Sequence, residues 1–237
     1  MSKDVAKKES AELATVSMDD FGGASISGQD IVIPKVLCMQ GQSKLVGDGK
    51  AKVGDLVDSL SSQVIGGTDK PVSFVPFFMK KTFVVSEYNG TRYMFHHIED
   101  CTPQNENQAW EQMLDGKKYK FEKSFNFYCL LTEDPSLPYV ISFKSTSSKA
   151  GRELMTQMYI KNKAAGKAPP AKLMHLSVDK QSKDGSSYAV LKTSVAGDTT
   201  NELMLAARDW FKIIVAGGVK EHDEDMIGGE EESKPQF

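Results

Sequence analysis

The chain has 237 residues, of which 40% are hydrophobic and 26% are charged, so it is long enough for one domain with a real hydrophobic core. No apolar run approaches the roughly 20 residues that a membrane-spanning helix needs, and the N-terminus lacks the apolar block of a secretory signal. Cys38, Cys101 and Cys129 are an odd set without close spacing, which favours reduced thiols in a cytoplasmic setting.

The net charge of −3 is unevenly distributed along the chain. Residues 1–30 carry −3 and residues 219–237 carry −5, which leaves +5 on residues 31–218. A basic body between two acidic ends points to nucleic-acid binding with an acidic segment attached. We therefore expect a flexible N-terminal segment (1–30), one folded nucleic-acid-binding domain (31–218) and an acidic protein-interaction segment (219–237).

The first half of the body is predicted to be β-rich. Residues 31–40 form the first predicted strand, and residues 71–88 form a long one. Asn89-Gly90 is a strong signal for a tight hairpin, which leads into a predicted strand over 91–98. Residues 105–114 then fit a short helix that Gly116 closes.

The second half mixes strands and helices. Residues 117–131 are apolar at most odd positions and polar at the early even positions, and this period of two predicts a strand with two unlike faces. Residues 139–146 alternate in the same way after a Pro-rich turn. A helix is expected from a cap at Ser147 or Ser148 to about residue 163, and a strand pair over 173–178 and 187–192.

A third helix is expected near the end of the body. Thr199 and Glu202 have the spacing of a capping box. The helix that they would open places Leu203, Ala207 and Ile214 on one face, and Gly217-Gly218 is expected to stop it.

Cations and aromatic rings are interleaved on the predicted strands and at the start of the helix expected after Ser147 or Ser148. A single nucleic-acid strand is recognised in this way, because cations meet phosphates while rings stack on bases. A half-buried antiparallel sheet with lysines on its wet face explains the same alternation and stays open. The predicted DNA-binding residues are Lys80, Lys81, Phe83, Tyr88, Arg92, Tyr93, Lys118, Lys120, Tyr128, Lys144, Lys149 and Arg152.

The sequence offers little for catalysis. It has no Gly-rich phosphate loop, no dinucleotide-binding fingerprint and no nucleophile elbow. His96 and His97 with Cys101 resemble the start of a zinc site, but no second ligand pair follows at a usual spacing. We expect a protein that is not an enzyme and that holds no cofactor and no metal.

The C-terminal segment is acidic and has an aromatic tip. Its acidity alone fits a solubilising tail, whereas the aromatic tip suits partners with a basic rim and an apolar pocket. The segment can also occupy the protein's own basic groove until a nucleic acid displaces it. Its predicted interaction residues are Asp223, Glu224, Asp225, Glu230, Glu231, Glu232 and Phe237.

These features together resemble phage-encoded single-stranded DNA-binding proteins with an OB fold. The likeness rests on the acidic run 221–232 with Phe237, on a helix between Thr146 and Leu173, and on the strand-to-basic-helix segment ISFKSTSSKAGRELMT. It covers the acidic segment and roughly residues 70–195. It implies an α+β, mostly β fold in which an OB-like antiparallel barrel is elaborated with helices, followed by a disordered acidic tail.

The first interpretation is a sequence-tolerant single-stranded DNA-binding protein of phage DNA replication, recombination or repair. It would act in the cytoplasm of the bacterial host, away from membranes, and its acidic segment would recruit replication or recombination proteins. A homodimer stays open. So do two other classes: a virion or assembly protein with an exposed apolar β surface, and an inhibitor of a host nucleic-acid enzyme.

Overall fold

The computed structural model describes residues 31–183, 186–216 and 219–221, which are mostly β. In chain order the strands are β1 (Ile31–Ile33), β2 (Lys35–Cys38), β3 (Leu56–Asp58), β4 (Val64–Gly66), β5 (Val72–Tyr88), β6 (Tyr93–Asp100), β7 (Glu111–Leu114), β8 (Lys117–Leu131), β9 (Pro138–Phe143), β10 (Lys172–Lys183), β11 (Ser186–Asp198) and β12 (Val219–Glu221). The helices are α1 (Lys44–Gly47), α2 (Ser148–Met155), α3 (Asn162–Ala164) and α4 (Asn201–Val215). A π-helical turn (Thr156–Lys161) joins α2 to α3, and 3₁₀ turns lie at Ser145–Ser147 and Pro169–Ala171.

Ten strands form one mixed sheet. Its order is β11-β10-β5-β8-β9-β2-β3-β4, with β6 added beside β5 and β7 beside β8. Strand β2 runs parallel to β9, and the sheet does not close into a barrel. The α+β, mostly β part of the prediction is confirmed, whereas the expected OB-like barrel is not found.

Two features keep the sheet open. Strands β2, β3 and β4 extend it beyond β9. Apolar side chains are also buried on both of its faces, one under α2 and the other under α4, whereas a small barrel fills a single interior. Strand β12, from the part that the sequence assigned to the acidic segment, pairs with β1 and so belongs to the folded body.

The alternation predicted for β8 is confirmed. Phe125 and Phe127, at odd positions, are buried in the cluster that contains Leu154 of α2. Tyr128 and Leu130, at even positions, are buried with residues of α4. We call these two sides of the sheet the α2 face and the α4 face.

The predicted hairpin at Asn89-Gly90 is also confirmed. The Asn89 side chain accepts hydrogen bonds from the backbone N–H groups of Thr91 and Arg92, and Gly90 has a φ of 94°. Strand β6 begins only after this turn, so Arg92 lies in the turn and not in the strand predicted over 91–98.

The helix predicted over 105–114 is wrong. Asp115 and Gly116 have φ values of 49° and 77°, and two successive positive φ angles belong to a tight hairpin turn. This turn pairs β7 with β8. Gly116 therefore closes a hairpin instead of a helix.

Both other predicted helices are found. The first runs without a break through α2, the π-helical turn and α3 to Ala164. The second is α4, but Thr200 caps it by accepting a hydrogen bond from the Leu203 N–H at 3.3 Å. The hydroxyl of Thr199, the predicted cap, is buried without a hydrogen-bond partner in the described part of the chain.

Some predictions fall outside the described residues. They are the flexible segment over 1–30, the helix stop at residues 217–218 and the interaction residues of the acidic segment from Asp223 to Phe237. Within the described ranges, no helix is both long enough and apolar enough to cross a membrane.

Gly151 allows α2 to lie directly on the sheet, and this contact can be tested. A Cβ atom at Gly151 would lie 2.7 Å from Cβ of Phe143 and 3.2 Å from Cβ of Phe125. We expect Gly151→Ala to lower the free energy of unfolding by about 1–3 kcal/mol through overpacking, as measured by urea denaturation. The control is Gly47→Ala, where an added Cβ has no neighbour within 4 Å. Equal stability of the two variants would contradict the packing described here.

Candidate nucleic-acid interface

The predicted DNA-binding residues do not share one surface. Alternation along β5 and β8 places Lys81 on the α2 face and Lys80, Lys118 and Lys120 on the α4 face. Arg92 lies apart from both sets, in the hairpin turn. The sequence-predicted set therefore has to be divided before any binding surface is described.

Two of the predicted stacking rings are buried. Phe83 is 3% exposed and Tyr128 is 5% exposed. Phe83 packs with Val85 and Phe121 in a small cluster of its own, and Tyr128 packs in the cluster under α4. Both rings belong to the core, so neither offers a free face for a base to stack on.

The long strands β5 and β8, with β6 and β7 beside them, form an extension of the sheet that contains equal numbers of acidic and basic residues. We call residues 80–126, which include β6, β7 and the adjoining parts of β5 and β8, the arm. It holds seven Lys and Arg residues and seven Asp and Glu residues. Its ion pairs include Lys80–Asp100 at 2.8 Å, Lys81–Glu106 at 2.6 Å, Lys117–Glu87 at 2.8 Å and Lys118–Glu111 at 2.8 Å.

One cluster of rings and a cation lies on the α4 face of the arm. The ring centres of Tyr88 and Tyr93 are 5.3 Å apart, and Nζ of Lys118 lies 5.9 Å and 5.7 Å from them. The Tyr93 hydroxyl donates a hydrogen bond to Glu111. Hydrogen bonding to Glu111 raises the pKa of Lys118 above its ordinary range, so this cation is already well satisfied within the protein.

The same face of the arm carries exposed apolar side chains. Phe95 is 49% exposed, Ile98 is 46% exposed and Met113 is 64% exposed. Helix α4 covers this side of the sheet only at its other end, where Phe77 and Leu130 are buried. The arm therefore presents a neutral and partly apolar surface.

Positive charge is concentrated on the α2 side. Residues 144–172 contain seven Lys and Arg side chains and a single carboxylate, Glu153. Lys149, with a side chain that is 81% exposed, lies 4.0 Å from Glu153. At the far end of this stretch, Lys167 and Lys172 both pair with Asp198, so the uncompensated charge lies nearer to α2.

Three adjoining clefts lie along α2, beginning at its amino end. Their volumes are about 640, 550 and 260 Å³. Ser145 and Thr146 line both the first and the second cleft, and Arg152 lines both the second and the third. We call the three together the basic groove. Its charged and aromatic lining residues include Lys44, Lys144, Tyr188, Glu106, Trp110, Lys123, Arg152, Lys149, Glu153 and Lys161.

The second cleft contains an ion-paired carboxylate and an exposed ring. Oε1 of Glu106 lies 2.6 Å from Nζ of Lys81 and 3.7 Å from Nζ of Lys123. The hydrogen bond from Lys81 lowers the pKa of Glu106 below its ordinary range. Trp110 is 51% exposed, and Nζ of Lys120 lies 4.6 Å from its ring centre.

The structure brings some predicted residues together and adds others. Lys144, Lys149 and Arg152 all line the basic groove. Lys123 was missed, although it is a charged residue at an odd position of β8, where every later or earlier odd residue except Lys117 is apolar. Trp110 was also missed, because it fell in the stretch that was assigned to a helix.

The cysteines and the described histidines form no metal cluster. No group of three or more His, Cys, Asp or Glu suited to a metal ion occurs among the described residues. His96 and His97 lie 3.7 Å from Glu87 and Glu99 respectively. All three cysteines are free, and burial raises the pKa of Cys38 to about 11.

The fold and the groove define a class: a β-rich α+β protein with an open mixed sheet and a basic groove beside a helix. The family model of the Pam3 phage gp34-like protein matches residues 6–220. Because this match spans most of the chain, the protein belongs to that family. Comparisons with curated proteins and with solved structures found no match. The family supports the phage part of the resemblance noted from the sequence.

The ion pair of Lys81 and Glu106 predicts a titration behaviour. The pKa of Glu106 is lowered mainly by its hydrogen bond to Lys81. The ion pair therefore stabilises the folded state fully at a pH above the unfolded-state pKa of Glu106. This stabilisation is lost as the pH falls through the lowered pKa that Glu106 has in the folded state. We expect Lys81→Met to raise the titration midpoint of Glu106, as measured by carboxyl-carbon NMR.

A lysine remote from Glu106 provides the control for this titration. Lys70 pairs with Glu133 at 3.0 Å, so Lys70→Met should leave the midpoint of Glu106 unchanged. An unchanged midpoint in Lys81→Met as well would show that Lys81 does not hold this carboxylate.

Proposed function

We propose that the protein binds single-stranded DNA along the basic groove. The observation that carries this proposal is that four cations of residues 144–172 line three clefts that share lining residues, namely Lys144, Lys149, Arg152 and Lys161. This stretch contains a single carboxylate, Glu153. A row of cations along a groove attracts a phosphate backbone and releases its counterions. Binding of this kind tolerates many sequences, because every nucleotide carries the same phosphate.

Aromatic side chains in the groove favour a single strand over a duplex. Trp110 is 51% exposed on the wall of the second cleft, and Tyr188 lines the first. Unpaired bases stack on such rings, whereas paired bases in a duplex are already stacked on one another. Cations beside accessible rings therefore match the chemistry of an unpaired strand.

The amino end of α2 adds to the attraction for phosphate. The last two residues before Ser147, Ser145 and Thr146, line the groove, and the first turn of α2 contains no acidic residue. The positive end of the helix dipole favours a bound anion, although the N–H groups of Ser147 and Ser148 already donate to the carbonyls of Lys144 and Ser145 in the 3₁₀ turn before it. The Ser147 hydroxyl accepts a hydrogen bond from the Leu191 N–H at 3.0 Å, which ties this helix start to β11.

The biological setting of the proposal comes from the family. A phage protein that coats transiently unpaired strands would serve DNA replication, recombination or repair, and the chemistry needs no catalytic group or cofactor. In this proposal the acidic segment over 219–237 recruits replication or recombination proteins, with Asp223–Asp225, Glu230–Glu232 and Phe237 as its contacts.

Removing three groove cations tests the proposal. We expect the triple variant Lys149→Gln, Arg152→Gln and Lys161→Gln to bind a labelled mixed-sequence 30-mer about tenfold more weakly, at about 0.5 kcal/mol for each contact. The measurement is fluorescence anisotropy with single-stranded and duplex DNA. The slope of log Kobs against log salt should fall by about 2, since each contact to a single strand contributes about 0.7.

A matched control separates groove contacts from overall charge. Lys70, Arg208 and Lys212 have side chains that are 64%, 58% and 65% exposed, and none of them lines the basic groove. The triple variant that changes these three residues to Gln loses the same charge and should bind nearly as the native protein does. Equal losses in both triple variants, or no preference for single strands, would count against the proposal.

A second candidate function is favoured by the arm. Its carboxylates neutralise its own cations, and Phe95, Ile98 and Met113 leave an exposed apolar surface on its α4 face. Exposed apolar patches on a sheet mark protein interfaces. A virion or assembly component would use such a surface to pack against other protein.

The oligomeric state of the protein distinguishes this second candidate function from DNA binding. If the arm mediates assembly, the native chain forms a defined oligomer by light scattering without DNA, and Phe95→Asp shifts it to monomer because a buried charge is costly. Phe211→Asp, which alters a ring of α4 with 40% exposure, should keep the oligomer. A native chain that stays monomeric at all concentrations would exclude assembly through the arm.

A further inference from the structure

The carboxylate of Glu106 occupies a place in the basic groove that suits a phosphate. Its Oε1 atom lies 2.6 Å from Nζ of Lys81 and 3.7 Å from Nζ of Lys123, and it lines the same cleft as Arg152 and Trp110. A phosphate oxygen between two lysines would make the same kind of charge-assisted hydrogen bond. The free protein thus holds an anion of its own between Lys123, which lines the groove, and Lys81, which reaches Glu106 from β5 beside it.

The loop that carries Glu106 is held by contacts that do not use its carboxylate. Asn105 accepts a hydrogen bond from the Thr102 N–H at 2.7 Å and donates one to the Asp100 carbonyl at 2.9 Å. Nζ of Lys123 donates to the backbone carbonyl of Glu106 at 2.8 Å. The carboxylate can therefore turn away while the loop and Lys123 remain in place.

The surroundings of this ion pair permit exchange with solvent. The side chains of Glu106, Lys81 and Lys123 are 38%, 29% and 31% exposed. Ion pairs with this much exposure contribute modestly to stability, so an incoming anion of higher charge density can replace the carboxylate. A fully buried pair would instead be costly to open.

We propose that Lys81 and Lys123 form a phosphodiester subsite of the groove, and that Glu106 fills it until DNA arrives. This inference rests on the proposed function and adds to it a carboxylate of the protein that competes with DNA. Glu106 competes with the DNA backbone for one pair of cations and lowers the affinity for any single strand. Entry of the phosphate turns the Glu106 side chain out of the cleft while both lysines stay.

Neutralising Glu106 tests this subsite in the full chain. We expect Glu106→Gln to tighten binding of the 30-mer about two- to fivefold in fluorescence anisotropy, the range for a partly exposed ion pair. The matched control is Glu133→Gln, which makes the same charge change and breaks the pair with Lys70 at 3.0 Å. It should alter affinity by less than Glu106→Gln does.

A double-mutant cycle shows whether the gain passes through Lys81. When Lys81→Gln is combined with Glu106→Gln, the gain should disappear, because the subsite then lacks its nearer cation. Thermal unfolding checks that each variant is folded, and Glu106→Ala serves as a second variant without a carboxylate.

The outcomes separate the subsite from the proposed function. If Glu106→Gln binds no tighter than Glu133→Gln while the groove triple variant still weakens binding, the groove stands and the subsite is overturned. If the gain survives without Lys81, the subsite is likewise overturned. If the native chain and Glu106→Gln both fail to bind at low salt, the proposed function fails and this inference fails with it.

Discussion

The close approach of α2 to the sheet at Gly151 is the constraint on which the basic groove depends. The added methyl group of any other residue would meet Phe143 and Phe125, so only glycine allows the helix to lie this near to β8 and β9. The helical period then turns Lys149 and Arg152 away from the core and into the clefts. The groove is thus a consequence of how one helix is seated.

Charge is distributed differently in two regions that follow one another in the sequence, the arm and the stretch over 144–172. The arm brings acidic and basic residues together across neighbouring strands, so pairs such as Lys118 with Glu111 cancel locally. The stretch over 144–172 has one carboxylate of its own. Although Lys167 and Lys172 pair with Asp198, the cations of this stretch outnumber these two carboxylates and keep a net positive charge. An isolated lysine attracts phosphate, whereas a lysine already paired must first give up its partner. This difference in charge is the basis on which we propose nucleic acid as the partner of the groove and protein as the partner of the arm.

Local signals predicted much of the fold. The alternation of β8, the hairpin at Asn89-Gly90 and the helix after Ser147 all depend on neighbours in sequence, and all are confirmed. The helix prediction over 105–114 failed because the apolar spacing of this stretch also fits a helical turn. Asp115-Gly116 instead forms the turn of a hairpin. The prediction of a barrel failed because the closure of a barrel depends on which strand edges pair with each other. No local sequence pattern shows which edges pair.

The sequence by itself determined the periodicities, the turns and the segregation of charge, because these depend on residues a few positions apart. Only the tertiary structure decided which rings are core, since Phe83 and Tyr128 have the same local pattern as exposed aromatics. It also decided which cations are free to meet a ligand. Lys81 and Glu106 are 25 positions apart, and they meet because β6 pairs with β5 up to the Cys101 N–H, which donates to the Lys81 carbonyl, and the loop after β6 then turns back toward β5.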